Sequence, residues 1–193
     1  KVISIVKLTG AFSSNKKHPQ IGSALAVLLH QAGRSDRALK VFQTYLKNNP
    51  DNGEAWLNYG LTHRELGHLN EALVALTKAT QLLPDNFSAW FNRSGLFIDL
   101  KKYDESLADL KYCTSLNPTS AELWCRLAFV LKEIKDFEGA IEAYKKATQL
   151  LPKDPELWNQ LGFLFSVKGY KKQAIKCYTR ATQLNPEYPS VYL

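Results

Sequence analysis

Four tryptophans, Trp56, Trp90, Trp124 and Trp158, stand 34 residues apart, and this period constrains the fold more than any other feature of the chain. Pro50, Pro84, Pro118, Pro152 and Pro186 keep the same spacing. So do Ala38, Ala72, Ser106, Ala140 and Ala174, and with them Phe42, Leu76, Leu110, Tyr144 and Tyr178. A bulky aromatic, a helix breaker, a small residue and a large apolar residue that share one period describe a single supersecondary unit used repeatedly. One such unit leaves an apolar flank bare, so successive copies stack and each touches its neighbours.

Within a unit the pattern is helical. Trp158, Leu161, Gly162 and Phe165 fall at offsets 0, 3, 4 and 7, the stripe of a 3.6-residue helix, and Ala174, Tyr178 and Ala181 repeat the logic in a second helix. Gly33, Gly67 and Gly169 mark the turn between the two, with Lys101 and Lys135 in that place in the middle units. Each unit stops at its Pro, which cannot continue a helix. Asp51, Asp85 and Asp154 follow these stops and are expected to cap the next helix. Small residues at Gly60, Ala128 and Gly162, opposite Ala72, Ala140 and Ala174, let two helices approach closely. Helices are expected near 21–33, 36–48, 54–67, 70–82, 88–100, 104–116, 122–134, 138–150, 156–168 and 172–184.

These residues resemble the tetratricopeptide repeat family, whose pattern is W-x2-L-G-x2-Y, then A-x3-F, then P. The resemblance covers residues 19–188 as five units. The fifth matches best, through Trp158, Leu161, Gly162, Phe165, Ala174, Tyr178, Ala181 and Pro186. The first has Gly22 for Trp but keeps Leu25, Ala26, Ala38, Phe42 and Pro50; the third departs most, with Arg93 for Leu and Ser94 for Gly. The resemblance implies an all-α, right-handed superhelical solenoid of stacked helix hairpins. Residues 189–193 would begin a sixth, truncated unit, with Tyr192 in phase with Trp158. In the basic segment 1–18, Ser4, Leu8 and Ala11 are in phase with Ala38, Phe42 and Tyr45. That segment is either the second helix of a degenerate repeat or a frayed tail. With no Met among 193 residues, the chain reads as a fragment or a processed product.

Charge narrows the partners. The net charge of +7 concentrates at the two ends: residues 1–18 carry four Lys and no acid, and 155–188 carry a net +3. A nucleic-acid binder would show a continuous basic stripe, so nucleic acid is an unlikely partner. No apolar run reaches the roughly 18 residues of a membrane span. Lys7 interrupts the opening apolar run, which argues against a signal peptide. Cys113, Cys125 and Cys177 are odd in number and include no C-x-x-C, as expected of free thiols in a reducing, cytoplasmic setting.

No catalytic constellation, cofactor motif or metal-ligand spacing is recognisable, so the expected function is non-enzymatic. Of His18, His30, His63 and His68, His63 occupies the aromatic core position held by Phe97 and Phe165. Cys113 reads as core packing, and Asp104, Glu105 and Asp109 as solvated outer faces. Arg93 is expected to reach solvent or to pair with Asp109 or Glu65, because an unpaired buried charge is strongly unfavourable.

The informative surface lies opposite the core stripe of each first helix. Positions two after the Trp lie about 200° round the helix from it: Asn58, Asn92, Arg126 and Gln160. Positions five after are Leu61, Gly95, Phe129 and Phe163; positions one after are Leu57, Phe91, Cys125 and Asn159. A ladder of side-chain amides offers donors and an acceptor to a peptide backbone. Arg126 suits a carboxylate. Phe91, Phe129 and Phe163, with Leu57 and Leu61, would supply apolar contacts. The same positions could instead seal neighbouring first helices. Among family members, the clamp that holds the acidic C-terminus of heat-shock chaperones is matched by Asn92 and Arg126. It is not matched by Leu57, Leu61, Ser88 or Glu122. Asn58 and Asn92 resemble the amide ladder in the repeat arm of O-linked N-acetylglucosamine transferase. The expectation is a scaffold that binds a peptide or protein segment in a concave groove. The alternative is the substrate-recruiting arm of a larger enzyme such as a glycosyltransferase, and self-association through uncapped ends is a further possibility. Lys168, Lys172, Lys176 and Arg180, spaced by four, are either a solvated face or a contact for an acidic partner or membrane surface.

Overall fold

The computed structural model describes residues 2–14 and 21–186. Eleven α-helices and no strands occur there: α1 (Val2–Ser14), α2 (Ile21–Gln31), α3 (Ser35–Asn48), α4 (Gly53–Glu65), α5 (Leu69–Leu82), α6 (Phe87–Asp99), α7 (Tyr103–Leu116), α8 (Ala121–Glu133), α9 (Phe137–Leu150), α10 (Pro155–Val167) and α11 (Lys171–Leu184). The chain forms two compact units, Lys1–Leu100 and Lys101–Leu193. In the first, α2/α3 and α4/α5 are hairpins, preceded by α1 and followed by α6; in the second, α7 precedes the hairpins α8/α9 and α10/α11.

The turn backbone recurs from hairpin to hairpin. Gly33, Gly67 and Gly169 adopt φ of 70°, 77° and 78°, and Lys101 and Lys135 adopt 56° and 65° in the same place. A left-handed residue there lets the next N–H reach back five residues. Arg34 donates to the Leu29 carbonyl at 2.9 Å, His68 to His63 at 2.9 Å, Asp136 to Leu131 at 2.8 Å and Tyr170 to Phe165 at 2.8 Å. This compact reversal starts each second helix one residue earlier than its periodicity suggests.

The caps correct the expectation. Asn52, Asn86, Ser120 and Asp154 accept from the backbone N–H of Ala55, Ala89, Leu123 and Glu156. Asp154 therefore caps, but Asp51 and Asp85 do not, because the helices begin at Gly53 and Phe87 and the cap must immediately precede them. The Trp and Pro combs are one device: each indole N–H donates to the carbonyl of the Pro six residues earlier. The distances are 2.7 Å for Trp56 and Trp90, 2.8 Å for Trp124 and 3.0 Å for Trp158. The loop is thus tied to the helix it precedes.

Close approach within the hairpins is real. A Cβ on Gly60 would lie 2.8 Å from Cγ of Leu76, and one on Gly162 would lie 2.9 Å from Cε1 of Tyr178. Ala72, Ala140 and Ala174 are fully buried. Residues 2–14, for which the sequence left helix and tail open, are helical, and Ile5 is buried in the cluster built by Leu25, Ala26, Leu29 and Phe42. Residues 189–193, including Tyr192, lie outside the described residues. No helix among the described residues is long and apolar enough to cross a membrane.

Candidate functional site

In the first unit the first helices α4 and α6 lie side by side, pinned near both ends. Asn86, the cap of α6, donates from Nδ2 to Oε1 of Glu54 at 3.0 Å. At the other end Arg64 holds Oδ2 of Asp99 through Nη2 at 2.7 Å and Nε at 2.8 Å. Helix α2 is tied to α4 in the same way, with Nδ1 of His30 at 3.1 Å from Oε2 of Glu65. Both of these side-chain contacts, Arg64–Asp99 and His30–Glu65, join residues 35 apart, one more than the repeat, a spacing that the sequence carries.

Asn58 and Asn92 stand between these pins in matching geometry. Asn58 Nδ2 donates to the Glu54 carbonyl at 2.9 Å and Asn92 Nδ2 to the Ser88 carbonyl at 2.8 Å. One amide N–H of each is spent on its own helix, which fixes the side chain; an amide has a second N–H and an oxygen to offer. Phe91 is half-buried and stacks on Phe87, with ring centroids 5.5 Å apart. Leu61 is half-buried against the α4/α5 core. Leu57 is 5% exposed, inside the cluster of Ala72, Leu76 and Ala79, and so does not line the wall. The reason is angular: one residue past the Trp is only about 100° round the helix, within the breadth of an ordinary buried stripe.

In the second unit the equivalent positions are longer and reach acids rather than backbone. Arg126 donates to Oε1 of Glu122 from Nε at 3.2 Å and Nη2 at 2.9 Å, and Gln160 donates to Oε1 of Glu156 at 2.5 Å. Both acids are four residues earlier, on the same helix face. A visiting carboxylate would compete with Glu122 for Arg126. Phe163 is exposed, and Phe129 is half-buried with Tyr103 edge-on and the Lys132 ammonium 5.4 Å from its ring centre. Cys125 and Asn159 are half-buried, and Oδ1 of Asn159 has no hydrogen-bond partner among the described residues.

The remaining candidates find structural places. His63 is buried in its aromatic position, edge-on to Tyr59 and with Nδ1 3.4 Å from Nδ1 of His68. Burial, and then the neighbouring His68, lower its pKa, against a smaller opposing effect of Glu71. Cys113 and Cys177 are buried and their thiols are pushed up to about 11, mainly by desolvation, which keeps them protonated and unreactive. Arg93 donates from Nη1 to the Thr80 hydroxyl at 2.7 Å and lies over the rings of Trp90 and Phe97 at 4.7 and 5.6 Å. Glu65, one of the acids considered for it, is engaged by His30. Asp109 corrects the expectation of a solvated residue. It is 2% exposed, because it occupies the position filled by Ala75, Ala143 and Cys177 in other repeats. Among the described residues no group of His, Cys, Asp and Glu is placed to hold a metal ion.

Comparison with known proteins agrees with this geometry. The profile of the cytochrome c-type biogenesis protein H TPR domain matches residues 39–157, and tetratricopeptide repeat profiles match 24–52 and 155–188. No match was found among curated proteins. Among solved structures, the chain is similar to YrrB, described as a TPR protein with an unusual peptide-binding site. The TM-score is 0.85 at 18% identity, covering 94% of this chain and 93% of that one. It is also similar to MamA from Desulfovibrio magneticus RS-1, with a TM-score of 0.78 at 22% identity over 89% and 97% of the two chains. Another MamA crystal structure gives 0.81 at 22% identity over 91% and 96%. At these identities the likeness shows the fold.

Proposed function

The chain belongs to the tetratricopeptide repeat family, and from that premise we propose that it is a protein-interaction scaffold that holds an extended peptide along its first-helix wall. The observation that carries this reading is the pair Asn58 and Asn92. They stand on adjacent, cross-pinned helices, one repeat apart, each with one N–H tied to the carbonyl four residues back. Held this way, two amides present like edges at regular spacing and can bond a strand's N–H and C=O groups with little dependence on its side chains. Phe91 adds apolar contact in the first unit. Arg126, Gln160, Phe129 and Phe163 offer a longer, more charged version in the second. Sharing Arg126 with Glu122, a guest carboxylate would be held by exchange of partners. YrrB, of the same fold, is described as having a peptide-binding site. No observation favours the reading of this segment as a recruiting arm of an enzyme.

The test is a peptide-array screen followed by anisotropy titration of the strongest binder. Affinity is expected near ~1 μM to 1 mM, because the guest must order on binding. Backbone N-methylation of the peptide should weaken binding about tenfold or more, while single side-chain changes are tolerated. Asn58→Ala with Asn92→Ala should have the same effect as N-methylation. Binding that survives both changes would place the site elsewhere.

A further inference from the structure

Beside the Trp of a first helix, the outer face of its own second helix forms a groove, and that groove recurs three repeats apart. In one copy it is lined by Trp56, Leu73, Val74, Thr77, Lys78 and Gln81. In the other it is lined by Trp158, Lys176, Thr179, Arg180 and Gln183. In repeat register Lys176 replaces Val74 and Arg180 replaces Lys78, so an apolar groove with one cation becomes an aromatic groove with two. The indole N–H of Trp158 is committed to the Pro152 carbonyl, which fixes the ring as an apolar wall.

The two cations lie one turn apart on a single helix face. Helix α11, KKQAIKCYTRATQL, contains no acid at all. Beside Trp124 the equivalent of Lys176 is Glu142, which takes Lys145 at 2.6 Å, so that helix balances its own charge. Nearby acids of the second unit are also engaged: Glu138 pairs with Lys168, and Glu156 accepts from Gln160. No ion pair to a described residue engages Lys176 or Arg180. Like charges four apart disfavour a helix, and an anion placed between them would remove that penalty.

We propose that the groove between Trp158 and α11 is a second docking site, separate from the first-helix wall, for an acidic peptide. An apolar or aromatic side chain of the guest rests on Trp158, and flanking carboxylates meet the Arg180 fork and the Lys176 ammonium. A groove with one aromatic wall and two adjacent cations suits a peptide better than a membrane. A bilayer surface asks for a broad face of projecting apolar and basic residues.

The probe is a fluorescein-labelled peptide with one Phe flanked on both sides by Glu, compared with its Gln counterpart at low ionic strength. The Glu peptide should bind at least about tenfold more tightly, and added salt should weaken it. Lys176→Glu with Arg180→Glu should abolish the difference. Lys171→Glu with Lys172→Glu makes the same change in net charge on the same helix outside the groove and should leave most of the binding. Asn58→Ala with Asn92→Ala should leave all of it, so failure here is separable from failure of the first-helix wall. Circular dichroism of the variants should match the parent. Equal losses in the two charge-reversal variants would mean diffuse attraction and overturn the proposal. So would equal affinity for the Glu and Gln peptides, or capture of phosphatidylserine vesicles through Lys176 and Arg180 without peptide binding.

Discussion

One residue makes this scaffold sensitive to mild acid. His63 fills a position that Phe97 and Phe165 fill elsewhere, and burial and His68 hold its pKa below that of an ordinary histidine. A depressed pKa means that the folded state resists protonation. The neutral ring's contribution to stability is therefore complete above the ordinary histidine pKa, near ~6.5, and is lost as pH falls through the lower folded value. Thermal melts between neutral and mildly acidic pH should show a falling midpoint, and His63→Phe should flatten that fall. The two left-handed lysines give a second prediction. Lys101 and Lys135 carry a Cβ at a φ that disfavours it by roughly 1–2 kcal/mol, part of which Gly returns through its looser unfolded chain. Lys135→Gly should stabilise by about 0.5–1 kcal/mol in urea titration. At this scale much was legible, since the turn residue and the aromatic position of His63 follow from register. Asp109 was not: an acid on a helix reads as solvated until its slot is seen to be the one that Ala75 and Ala143 bury.

Between helices, fit depends on the smallest residues. Leu76 Cγ and Cδ2 would lie 2.8 and 2.9 Å from a Cβ at position 60 and the Leu76 backbone N 3.2 Å from it, and Leu76 is fully buried, with little room to move aside. Gly60→Val should cost on the order of 1–3 kcal/mol by overpacking, and Ala140→Leu, at another fully buried small residue, a similar amount. By contrast Val74→Ala, at an exposed position on α5, should change stability by about 0.5 kcal/mol or less. Chemical denaturation of the three variants separates them. Polar pairs act at the same scale in a different way. Glu122→Gln should release the Arg126 fork and strengthen binding of a peptide that carries a free carboxylate, read as a lower Kd beside an amidated control. The spacing of four that joins Glu122 to Arg126 and Glu156 to Gln160 is visible in the chain. Its consequence, acids already holding the residues assigned to a guest, required side-chain positions.

Within each of the two units a hairpin is stabilised by the helices beside it, so damage stays local. In the Gly60→Val variant, amide hydrogen exchange should accelerate most in α4, α5 and their immediate neighbours α3 and α6, and least in α10 and α11. Uniform acceleration over all helices would show one cooperative block instead. Helical hairpins, the turn residue and the use of small residues such as Gly60 and Ala72 where two helices meet were legible in the amino-acid order alone. All of these are periodic, and periodicity of burial is what a repeated sequence encodes. Tertiary structure alone decided that Leu57 is sealed in the core, that each of the four Trp is hydrogen-bonded to the Pro before it, that α4 and α6 are pinned by Glu54–Asn86 and Arg64–Asp99, and that two cations share the groove at Trp158. These depend on the distance and angle between neighbouring helices and on the reach of individual side chains, which a linear pattern averages away.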